Sequence, residues 1–255
     1  MAWNPNTYNQ FKNERAAPFH DLLALVKPVA NMKVIDLGCG TGETTKIIAD
    51  TLFSAFVTGI DSSAEMLAGS AKFATDRLTF KVHGIEKQLD SNEKFDLIFS
   101  NAAIQWVDDH EVLFPKIINS INKGGQLAIQ MPAQHHNRTN ILLNELADEA
   151  AFNKALQNFK RASPVLDTDR YASILFENGA TSITVFEKIY PLILKDTEAL
   201  YHWVSGTALI PYLEKLDEVG KANFIAAYKE KLKKNFANSP VFYPFKRILM
   251  HANFK

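Results

Sequence analysis

The chain has 255 residues and carries 28 Lys plus Arg against 28 Asp plus Glu. That length suits one large domain, or a core with an inserted or appended part, better than two independent domains. Balanced charge gives no field to draw the protein onto nucleic acid or an anionic membrane, and a single cysteine, Cys39, excludes an internal disulfide or a cysteine-based zinc site. The first twenty residues mix polar, charged and proline residues and lack the apolar core of a signal peptide, and no run reaches the length of a membrane span. A cytoplasmic protein is expected, a monomer or weak dimer with a small-molecule partner and neither nucleic acid nor membrane. No metal is expected either. The histidines fall in no H-E-x-x-H spacing, and the adjacent His135 and His136 should point apart on any regular element.

Residues 1–30 read as an N-terminal helical cover. From 31 to 133 short apolar runs alternate with amphipathic ones, the pattern of βαβ units and a mostly parallel sheet. Strands are predicted at 33–37, 56–60, 78–82, 95–100 and 126–131, with helices at 44–52, 64–74 and 109–121 between them and a turn at Asn122–Gly125. The strands are short and almost wholly apolar, as expected when helices cover both faces. Residues 137–162 read as helix, 182–193 as a strand, 196–235 as helices broken at Pro211, and 241–254 as a last strand in which Pro244 suits an edge. The expected fold is therefore α/β: one doubly wound, mostly parallel seven-stranded Rossmann-like domain over 1–255, with a helical cap at 196–235 between the last two strands.

The most informative stretch is VIDLGCGTGETT, residues 34–45. In an open α/β sheet the ligand crevice lies beyond the carboxyl ends of the strands, and the turn after the first strand belongs there. Gly38, Gly40 and Gly42 let the backbone bend and approach a ligand with no Cβ in the way, and the following helix aims its free N–H groups at the bound molecule. A dinucleotide fingerprint would need glycine at 43, which is Glu43. Asp61, directly after the second strand, suits both hydroxyls of an adenosine ribose, against the plainer role of a helix cap that Ser62 or Ser63 could fill. Cys39 and Thr41 read as small residues tolerated in a tight turn.

The D-x-G-x-G-x-G string resembles the first motif of class I AdoMet-dependent methyltransferases. WNPNTYNQFKNERAAP, VIDLGCGTG, TGIDSSAEML, FDLIFSNAAIQWVDDHEVLFP, LAIQMP, HWVSGTALIPYL and YPFKRILM together resemble the trans-aconitate methyltransferase family over nearly the whole chain. The resemblance implies methylation of one carboxylate of a small polycarboxylic acid, with S-adenosyl-L-methionine (AdoMet) as cofactor and S-adenosylhomocysteine as product. It implies a cofactor site of Asp36, Gly38, Gly40, Gly42, Asp61, Ser62, Ile85 against the adenine, Asn101 beside the methionine part, and Tyr8 and Arg15 closing the pocket. Gln105 and Trp106 would face the substrate. His202, Tyr212 and Arg247 are further substrate-side candidates, each weighed against an ordinary packing or surface role. Two positions depart from the family pattern: Gly84 stands where an acid often meets the adenine amino group, and Ile210 where a well-known member has arginine.

A carboxylate with a pKa of about 4 is already ionised at neutral pH, so its methylation needs no general base. Alignment and removal of water are then the expected means of catalysis, with no catalytic residue in the proton-transfer sense. A methyltransferase for an apolar acid or an N or O nucleophile, and a non-catalytic AdoMet-binding module, stay open as alternatives.

Overall fold

The computed structural model describes residues 12–255, with side chains from residue 16. It contains strands β1 (Lys33–Leu37), β2 (Phe56–Asp61), β3 (Leu78–Val82), β4 (Phe95–Asn101), β5 (Ile121–Pro132), β6 (Ala180–Leu194) and β7 (Val241–Phe254). The helices are α1 (Lys12–Leu25), α2 (Glu43–Thr51), α3 (Ala64–Leu67), α4 (Ile85–Leu89), α5 (His110–Asn119), α6 (Arg138–Ala147), α7 (Ala150–Asn153), α8 (Thr168–Glu177), α9 (Thr197–Ser205), α10 (Ile210–Leu213) and α11 (Glu218–Asn235). The strands form one sheet in the order β3-β2-β1-β4-β5-β7-β6. Neighbours from β3 to β5 run parallel, and β7 lies antiparallel to β5.

The chain divides into two compact units. The sheet unit comprises residues 17–132, 164–188 and 247–255; the helical unit holds 133–163 and 189–246. In the sheet unit Val34, Leu37, Leu97, Ile98, Leu127 and Ile129 are fully buried, which explains the near-continuous apolar strands. Since β4 succeeds β1 on the side away from β2, the connections diverge at the carboxyl end of β1, the place where such sheets bind ligands. In the helical unit Tyr212 stacks on Phe224 at 5.6 Å, and Tyr228 donates to the Thr139 carbonyl at 3.1 Å. Among the described residues no helix is long and apolar enough to cross a membrane.

Strands β1, β3 and β7 have the bounds read from sequence. Four stretches differ. The helices expected to break at Pro211 instead break at 206–209 and 214–217, with Pro211 in the first turn of α10, where its missing N–H is needed by no helical bond. The helix expected over 64–74 breaks at Gly69 into α3 and a 3-10 turn, Ser70–Phe73. The helix expected over 137–162 is broken where Glu149 turns extended at φ -64° and ψ 136°, which separates α6 from α7, and Gln157 and Asn158 beyond it take left-handed backbone at φ 55° and 59°. Asn122–Gly125 enters β5 as an irregular start, with Gly124 at φ 82°. Helices α4 and α8 were not anticipated. His135 and His136 do not point apart: on the 3-10 turn Gln134–His136 their rings meet edge to face at 4.1 Å. Pro244 lies beyond the last β5–β7 pair, Pro132 with Arg247, so it interrupts none of that ladder.

A buried polar cluster ties α8 to the segment after β4. His110 Nε2 lies 3.1 Å from the Ile104 carbonyl and so carries the proton, leaving Nδ1 to accept from the Tyr171 hydroxyl at 2.5 Å. The same hydroxyl accepts from the Leu166 N–H at 3.0 Å. Burial holds the His110 pKa below its usual value, keeping the ring neutral. Tyr171→Phe leaves both the Nδ1 acceptor and the Leu166 donor buried without partners, and should cost about 1–3 kcal/mol in denaturant unfolding.

Candidate active site

The turn after β1 is built from backbone held in the left-handed region: Gly38, Gly40 and Gly42 have φ of 77°, 57° and 80°. A Cβ at Gly38 would stand 2.1 Å from the Ala103 Cβ, and one at Gly42 would stand 2.7 Å from the Phe80 ring. Glycine is therefore demanded twice over there, by conformation and by space. The N–H groups of Gly38 and Cys39 both donate to the Ile60 carbonyl at 2.9 Å, lashing the turn to β2. Helix α2 begins directly after Gly42, presenting its positive end.

Two carboxylates frame the turn. Asp36 is 2% exposed; its Oδ2 accepts from the Thr45 hydroxyl at 2.7 Å, while Oδ1 has no donor. Burial raises its pKa to about 7, opposed by the Thr45 hydrogen bond and assisted by the nearby charge of Asp61. Asp61 accepts from Gly40 N–H through Oδ2 and from Ser63 N–H through Oδ1, both at 2.9 Å. The cap of α3 is Ser63, whose hydroxyl oxygen accepts from Met66 N–H at 3.2 Å, so Asp61 is released from the capping role. Each Asp61 oxygen keeps a further lone pair for a ligand hydroxyl. Ser62 beside it is exposed.

The other candidates fall as follows. Ile85 opens α4 with its Cδ1 4.0 Å from where a Gly38 Cβ would sit, at the edge of the turn; Gly84 is the N-cap residue before it. Asn101 ends β4. Gln105 is buried, donates to the Ala102 carbonyl at 2.7 Å and leaves Oε1 without a donor, whereas its neighbour Trp106 is 53% exposed. Arg247 is buried on β7 and donates to Gln130 Oε1 at 3.0 Å; the Gln130 amide in turn donates to Asn101 Oδ1 at 2.5 Å. His202 is exposed in the helical unit, 3.5 Å from Glu198. Tyr212 is buried there, donating to Asn144 at 2.6 Å, and borders a cavity of ≈ 480 Å³ shared with Asn140, Arg161 and Ser163. Tyr8 and the side chain of Arg15 lie outside the described residues. Thr45, Ala103 and Gln130 were missed from sequence, since nothing local marks a partner supplied by another strand or the next helix.

The chain is 42% identical to the trans-aconitate 2-methyltransferase of Deinococcus radiodurans, over 99% of this chain and 98% of that one. It belongs to the trans-aconitate 2-methyltransferase family. The Escherichia coli O7:K1 member is 33% identical over 98% of this chain and 97% of its own. A family model described as a methyltransferase domain matches residues 28–188. Among solved structures, the YcgJ protein of Bacillus subtilis shares the fold at TM-score 0.61 and 14% identity, covering 94% of this chain and 99% of that one. Phosphoethanolamine N-methyltransferase 2 of Haemonchus contortus, solved with S-adenosyl-L-methionine, reaches 0.56 at 17% identity, over 94% of this chain and 53% of its own.

The protein is accordingly an AdoMet-dependent methyltransferase, and the turn fits that cofactor. A buried, donorless Asp36 Oδ1 suits an ammonium-bearing tail, and a Cβ-free cradle admits it closely. Gly38→Ala should abolish S-adenosylhomocysteine binding in calorimetry while the protein still folds. Because the Asp36 pKa lies above its ordinary 3.8, the folded protein holds this proton longer than the unfolded chain. The resulting stability is full below about pH 4 and lost as pH rises through about 7. Ligand-free thermal unfolding should show that decline, and Asp36→Asn should flatten it.

Proposed function

We propose that the protein esterifies one carboxylate of a small polycarboxylic acid, trans-aconitate first among them, releasing S-adenosylhomocysteine. The observation that carries the reading is the near full-length similarity to trans-aconitate 2-methyltransferase, which extends through both units. Balanced net charge further favours a freely diffusing acid over nucleic acid or a membrane surface as partner.

When bound, AdoMet supplies an electrophilic methyl group on a positively charged sulfur. The chain's own part is to hold and orient. In this reading the glycine turn and Asp36 grip the aminoacyl tail, Asp61 and Ser62 take the ribose, Ile85 lies on the adenine and Asn101 stands beside the methionine part. Gln105 and Trp106 meet the acceptor. An acid acceptor arrives ionised, so no residue has to remove a proton before transfer. Alignment of oxygen, methyl and sulfur with water excluded then lowers the barrier, an effect of order 7–11 kcal/mol in well-oriented systems.

Incubation of labelled AdoMet with di- and tricarboxylic acids, fatty acids and amines tests the assignment. Base-labile methyl esters should form with trans-aconitate and close analogues. Label transferred only to fatty acids or amines would refute the polycarboxylate reading.

A further inference from the structure

Three side chains from three strands form a buried relay in the sheet unit. Arg247 on β7 donates from Nη1 to Gln130 Oε1 on β5 at 3.0 Å, and Gln130 Nε2 donates to Asn101 Oδ1 on β4 at 2.5 Å. Arg247 is 6% and Gln130 1% exposed. The polarity of the chain follows from chemistry alone. A guanidinium can only donate, so Gln130 must turn its oxygen toward Arg247 and its NH₂ toward Asn101. Asn101 must then turn its oxygen toward Gln130. What remains is its Nδ2 hydrogen pair, which no protein group among the described residues accepts.

Asn101 also stands at the crevice. The hydroxyl of its predecessor, Ser100, donates to the Leu37 carbonyl at 2.7 Å, and Ala103, two residues further on, is the residue a Gly38 side chain would strike. We propose that Arg247 and Gln130 are positioning residues that lock Asn101 as a hydrogen-bond donor to a carboxylate at the turn. The relay sorts ligands by polarity: an oxyanion is welcomed, whereas the N–H of an amine acceptor finds no oxygen there. Where that carboxylate belongs to the methyl acceptor, the inference rests on the acid specificity proposed above. The methionine tail of the cofactor carries the same group, and the experiment separates the two.

Gln130→Glu reverses the relay without removing the partner of Arg247. One Glu oxygen accepts from the guanidinium, and the other can only accept, so Asn101 must swing its NH₂ inward and present its oxygen outward. Gln130→Met merely cuts the relay and leaves Asn101 free to turn either way. The Kd for S-adenosylhomocysteine and the KM and kcat for trans-aconitate are to be measured for the wild type and both variants. Gln130→Glu should weaken carboxylate binding at least about tenfold, and Gln130→Met by less. A change confined to the acid KM places the carboxylate on the acceptor; a rise in the S-adenosylhomocysteine Kd places it on the cofactor tail. Should Gln130→Glu fail to fold, Asn101→Asp, which still accepts from Gln130 but offers an oxygen outward, must show the same weakening. Unchanged constants, or a Met variant as impaired as Glu, would overturn the relay while leaving the acid assignment standing. A wild type that methylates amines but no carboxylic acid would overturn both.

Discussion

Everything at this site hangs on a few backbone hydrogen bonds that hold one turn in a conformation most residues resist. Two adjacent N–H groups share the Ile60 carbonyl, and the carboxylate of Asp61 catches a third, that of Gly40. Left-handed backbone costs an ordinary residue roughly 1 kcal/mol or more, which glycine largely avoids, and the β2 contacts then select this one geometry from glycine's many. With the turn fixed, the start of α2, the β4 end and the Ile85 side chain acquire fixed positions around it.

The polar groups around that turn are divided by sign. On the β1 side stands a buried acceptor, Asp36 Oδ1, and on the β4 side an amide whose donor end is left over. A zwitterionic ligand part, cationic at one end and anionic at the other, has a natural orientation in such a field. The arrangement is one of orienting groups, which is what methylation of an acceptor already ionised in water would require. Burying Asp36 beside Asp61 costs stability in the free protein, the kind of local cost that binding sites commonly carry.

What sequence alone reveals here follows the range of the interaction. The parallel strands and the glycine turn are local patterns, and β1 and β3 emerge with the bounds their apolar runs predict. Asp61 is equally legible, because a strand end followed by a serine pair announces a helix start. Helix ends governed by a single backbone angle are not: nothing in the run from Arg138 announces that Glu149 turns extended and divides it. The relay is the extreme case, joining positions 101, 130 and 247 across three strands. Gln130 sits in an apolar run where an amide looks incidental, and Arg247 alternates with apolar residues in a way that fits either face. His110 is similar, since its partner Tyr171 comes from α8, 61 residues away in sequence.

Cys39 occupies the middle of the glycine turn, with its sulfur tucked against β2, 3.0 Å from where a side chain at Gly59 would begin. Burial, then Asp36, then Asp61 push its thiol far above the ordinary range, so it stays protonated. A cysteine anion beside a sulfonium reagent would compete for the very group the enzyme is meant to deliver. Kept neutral and buried, this sulfur is poorly nucleophilic, which in the proposed site would spare the catalyst from alkylating itself.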